Sequence, residues 1–174
     1  VADYQPILDA LMKLGIACVH VRGDSASPLP PQPFKGLRIV FTDLHLSNSS
    51  GKNVAAHTAN VFRHVVSDKT APVLVVIWSK HRNDPAGEEE LPPDDQPTLA
   101  EAFKNELLQA TPTFESRLIF TEMPKLMPGD RKEDWVENIQ ADIEKQLANY
   151  AACGLLWSWE SLVRDATISI SEAL

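Results

Sequence analysis

Apolar positions along the chain alternate between a helical period and short continuous runs. In residues 4–14 the apolar side chains Ile7, Leu8, Leu11, Met12 and Leu14 fall on one broad face. Pro6 stands in the first turn and Gly15 follows the last, so the spacing predicts a helix. Ile16–Val21 is a β-branched run and predicts a strand. The segment GDSASPLPPQPFKG carries four prolines and predicts an extended surface loop. Leu37–Thr42 is nearly continuous apolar sequence, the pattern of a parallel strand covered on both faces.

A polar stretch, Ser47–Lys52, precedes a helix over about 53–66 with Val54, Val61, Phe62, Val65 and Val66 on its apolar side. Pro72–Trp78 (PVLVVIW) is the most apolar strand and the candidate for the sheet centre. Lys80–Pro97 is a polar insertion with EEE and DD runs, expected to be a mobile, solvated loop. Thr98–Ala110 predicts a helix whose inner side carries Leu99, Ala102, Phe103, Glu106 and Leu107. Arg117–Thr121 predicts a strand, Asp134–Tyr150 a long helix, and Leu155 to about Ser169 a final helix. Trp157 and Trp159 of that last helix are expected to pack on the core.

Strands alternating with helices imply an α/β fold, a doubly wound parallel sheet with extra C-terminal helices. The expected organisation is one α/β domain over 1–130, carrying the insertion at 80–97, with a helical extension over 131–174 packed on it.

Composition narrows the function classes. A chain of 174 residues with 44% hydrophobic and 23% charged content suits one globular domain. The net charge of -8 and pI of about 5.1 leave no basic stripe to meet a phosphate backbone, so no nucleic-acid partner is expected. No apolar run approaches the roughly 18 residues of a membrane span. Cys18, inside IACVHV, reads as a small buried hydrophobe, and with Cys153 it forms no redox or metal spacing. A cytoplasmic setting fits. The five histidines, among them His20, His45, His57, His64 and His81, form no recognisable metal pattern.

In parallel sheets the chemistry lies beyond the carboxyl ends of the strands. That rule selects Asp43, Ser79 and the stretch Glu122–Lys125. An Asp held rigidly at a strand end can attack a phosphoryl group or hold Mg²⁺. A neighbouring hydroxyl can bond a phosphoryl oxygen, and a lysine can neutralise its charge. Asp43, Ser79 and Lys125 (or Lys80) supply that set. The alternative for Asp43 is a plain helix or loop cap after a strand.

With Asp43, Leu46 three residues on and Gly51 eight residues on, the sequence resembles a response-regulator receiver domain, in a divergent bacterial form. The Ala-Pro-Val opening of the next strand and its hydroxyl end, Ser79, extend the likeness over roughly residues 4–125. The resemblance implies a flavodoxin-like three-layer sandwich with Asp43 as phospho-acceptor and Ser79 and Lys125 as its partners. It further implies a phosphorelay role, with a histidine kinase as donor and an effector protein as reader. Where receivers have Lys-Pro, this chain has Pro124-Lys125. The acidic pair that holds Mg²⁺ in receivers is expected upstream of the first helix, and Mg²⁺ is expected only with it.

Two alternatives stay open. A degenerate pseudo-receiver would keep the fold and act only as a protein-interaction module, with the final helix as a linker or homodimer contact. A haloacid-dehalogenase-like phosphatase would also use Asp43, but such enzymes want a second Asp two residues later, where this chain has His45.

Overall fold

The computed structural model describes residues 4–24, 27–46, 52–69, 72–86, 96–123, 125, 132–150 and 155. The chain divides into two compact units, Val1–Ile16 with Lys132–Leu174, and Ala17–Arg131.

The second unit holds a parallel sheet of three strands, β1 (Ile39–Thr42), β2 (Val73–Ile77) and β3 (Leu118–Glu122), in the order β1-β2-β3. All five residues of β2 are buried, as a central parallel strand requires. Helix α2 (Lys52–Val65) connects β1 to β2. Helix α3 (Leu99–Ala110) and a 3-10 turn (Pro112–Phe114) connect β2 to β3. Strands that follow one another without reversal need both crossovers to run the same way, which puts both helices on one face of the sheet. Accordingly α2 and α3 pack on each other.

The core lies on that face. Val73, Val75 and Ile77 point into it and meet Val54, Ala55, Ala59 and Phe62 of α2 and Leu99, Phe103 and Leu107 of α3. Phe62 meets Phe103 and Phe114 edge to face, with centroids 5.9 and 6.2 Å apart. Such aromatic pairs contribute about 0.5–1.5 kcal/mol each beyond the area they bury. Leu74 and Val76, on the opposite face of β2, are buried as well.

The start of α3 is closed by a capping box. Thr98 Oγ1 accepts from the Glu101 amide at 3.2 Å, and Glu101 Oε2 accepts from the Thr98 amide at 2.9 Å. In the other unit, α1 (Gln5–Lys13) packs with α4 (Lys132–Asn149) and buries Ile7, Ala10 and Leu11. Gly15, at φ +70°, ends α1 in a Schellman turn. Its amide donates to Met12 O and that of Ile16 to Leu11 O.

The structure corrects three expectations. Ile16–Val21 is not a strand: it joins no sheet, and Val19 is 67% exposed. Apolar β-branched composition favours a strand only where a neighbour offers hydrogen bonds and cover. Cys18 is therefore exposed instead of buried. The head of the 80–97 insertion is also ordered against α3. Pro85 bridges Thr98, Ala86 is buried, and the amides of Leu99 and Ala100 donate to the carbonyls of Asp84 and Arg82. Residues 87–95 of the insertion, Gly51 and the helix expected from Leu155 onward, with Trp157 and Trp159, lie outside the described residues, Leu155 itself excepted. No described helix is long and apolar enough to cross a membrane.

Candidate functional site

The three strands end in register. Thr42 pairs with Ile77, and Ile77 with Glu122. The ladder runs one step further. The Trp78 amide donates to Thr42 O at 2.9 Å and the Met123 amide to Ile77 O at 3.0 Å. Asp43, Trp78 and Met123 therefore leave the sheet side by side. On the far side of Asp43, the fully buried Thr58 hydroxyl of α2 donates to Leu44 O at 2.9 Å. Asp43 thus sits on backbone held before and after it.

Lys125 reaches back across this edge. Its Nζ lies 4.7 Å from the centre of the Trp78 ring and 2.7 Å from Asp43 Oδ2. The lysine side chain is 11% exposed and that of Asp43 29%, so the pair is largely screened from water. Ser79 is fully buried. Its hydroxyl donates to the Asp43 carboxylate and accepts from the His81 amide at 3.2 Å. The His45 amide donates to Asp43 Oδ1 at 3.3 Å.

Burial by itself would push the Asp43 carboxyl up. The Lys125 hydrogen bond and charge outweigh it, helped by Ser79 and the His45 amide, and the carboxyl lies below its ordinary range. Asp43 is consequently ionised at neutral pH. The structure brings Asp43, Ser79 and Lys125 into one cluster. Lys80 is exposed, and the Asp43 ion pair is made by Lys125. Leu46 covers the backbone of Gly23, where an added Cβ would fall 2.6 Å from Leu46 Cδ1. The Gly23 carbonyl accepts from His57 Nε2 at 2.7 Å.

A second group adjoins the first. The His45 and His81 rings lie 4.1 Å apart, centre to centre, and tilted by 47°. His81 Nδ1 is 2.6 Å from Asp84 Oδ2. Burial and the neighbouring His81 hold His45 below the ordinary histidine range, against the opposing pull of Asp43 and Asp84. Among the described residues these three are the group with metal-ligand geometry, and Asp43 is not a member. Arg82 ties the loop down, donating from Nη1 to Ser79 O at 3.2 Å and pairing with Glu122 at 3.6 Å.

Sequence reasoning finds Asp43, Ser79 and Lys125 by the strand-end rule and passes over Trp78, His81 and Asp84. One signal for the histidines is present in the chain. His45 and His81 each stand two residues beyond a strand-end candidate, Asp43 and Ser79. Adjacent parallel strands carry such positions to within one residue of each other, Asp43 standing opposite Trp78. No protein-family model, curated protein or solved structure matches this chain.

Proposed function

We propose that the chain is a receiver-like signalling domain in which Asp43 accepts a phosphoryl group and a partner or effector protein reads the change. The observation that supports this is one cluster: an ionised carboxylate bonded to an ammonium and a hydroxyl at the carboxyl ends of three adjacent parallel strands. In this reading a carboxylate oxygen of Asp43 attacks the phosphorus of a high-energy donor. The donor's bridging P–O or P–N bond breaks and its leaving group departs with that electron pair. Lys125 turns from the carboxylate to the new phosphoryl oxygens, and the Ser79 hydroxyl follows. That exchange of partners at the edge of β2 and β3 is the change a partner would detect. The corresponding architecture is a doubly wound, flavodoxin-like three-layer sandwich with C-terminal helices.

A second reading keeps the fold and drops the chemistry. The described residues supply Asp43 but no three-ligand group around it, so they do not by themselves make a Mg²⁺ site. A pseudo-receiver would use the Asp43–Lys125 pair as a fixed strut and bind its partner without phosphorylation. Incubation of the full chain with acetyl phosphate and Mg²⁺, followed by peptide mass spectrometry, separates the two. The proposal expects one phosphoryl group on Asp43 and none in Asp43→Asn. An unmodified Asp43 would leave the pseudo-receiver.

A further inference from the structure

The loops after β1 and β2 carry a donor set that the phosphoryl chemistry does not use. We propose that His45, His81 and Asp84 form a binding site for a divalent transition metal, Zn²⁺ foremost, through two imidazole nitrogens and one carboxylate oxygen. One ligand atom from each residue lies within 4.8 Å of the other two. A tetrahedral zinc ion with bonds of about 2.0–2.1 Å holds its ligands about 3.3 Å apart. Small side-chain rotations close that difference. The His81–Asp84 pair, at 2.6 Å, opens slightly to admit the ion, while His45 and His81 are already in ring contact.

The backbone under these side chains is fixed from several directions. The His81 amide is bonded to the buried Ser79 hydroxyl, and the Asp84 amide to His81 O. Asp84 O in turn accepts the first amide of α3, that of Leu99. His45 is bonded through its amide to Asp43. The three ligands thus come from two short loops pinned to the sheet and to a helix start, which reduces the ordering that binding demands.

Donor chemistry selects the class of ion. Two imidazoles and a carboxylate suit zinc, and by the usual affinity order nickel and copper, whereas Mg²⁺ prefers an all-oxygen shell. Three protein ligands leave one coordination position for water or a small ligand, and the exposed His45 and half-buried His81 keep it reachable. Such a site stands whether or not Asp43 accepts a phosphoryl group.

The test is a Co²⁺ titration of the full-length chain followed by optical absorption, with displacement by Zn²⁺. The expected result is one equivalent of Co²⁺ with the intense visible bands of a four-coordinate ion, removed by one equivalent of Zn²⁺ and not by Mg²⁺. His45→Ala and His81→Ala should each weaken Zn²⁺ binding at least about tenfold in titration calorimetry. His64→Gln, a change at an exposed histidine on α2, should leave it unaltered. Wild-type protein that takes up no Co²⁺ at micromolar concentration, or gives only the weak six-coordinate spectrum, overturns the site. So does binding that survives both alanine variants. Circular dichroism of the variants checks their fold, and the wild-type spectrum decides if either is misfolded.

Discussion

Lys125 touches two unlike partners at once, lying over the Trp78 ring and bonding the Asp43 carboxylate. Removing it leaves a half-buried negative charge without its counter-ion. Lys125→Ala should lower stability at neutral pH by about 1–3 kcal/mol, read from the urea midpoint. The Asp43 pKa is lowered in the folded state, so its contribution is fully present above the ordinary aspartate value. It is lost as pH falls through the lower, folded value. Wild type should therefore exceed Asp43→Asn in stability at neutral pH, and the gap should close under acid below the ordinary carboxylate range. Parallel urea titrations of the two proteins at neutral and acid pH measure it. Asp43, Ser79 and Lys125 were legible because each stands at or near the end of a recognisable apolar strand. The metal-type group was not, because His45 meets His81 only through the register of β1 against β2.

Helices α2, α3 and α4 and the strands β1, β2 and β3 follow the period of their apolar residues to within two residues at each end. The failure at Ile16–Val21 has a physical cause: a helix satisfies its own backbone, whereas a strand needs a partner that local sequence cannot name. The order at the start of the 80–97 insertion was hidden for the same reason, since its hydrogen bonds go to α3. Thr98 links these elements. Thr98→Ala should cost about 0.5–2 kcal/mol of global stability by chemical denaturation. It should also speed hydrogen exchange at the Leu99 and Ala100 amides, which hold the loop carrying His81. Ile77, fully buried at the end of the central strand, answers to packing instead, and Ile77→Ala should cost about 2–5 kcal/mol in the same assay.

Taken whole, the molecule is acidic, with a net charge of -8. A labelled DNA duplex should show no rise in fluorescence anisotropy with added protein at physiological salt, and saturable binding there would reverse that expectation. The α/β class was legible from the alternation of elements. The grouping of α1 with α4 was not, because periodicity marks an apolar face without saying which surface covers it. The indole of Trp78 lies almost wholly inside the protein under the Lys125 ammonium. The energy of an excited indole depends on the electric field across its ring. Trp78 emission should therefore shift in colour when Lys125 moves. Replacing Trp135, Trp157 and Trp159 by Phe isolates that signal. The lysine that holds Asp43 would then make the site its own optical gauge, readable in real time without a label.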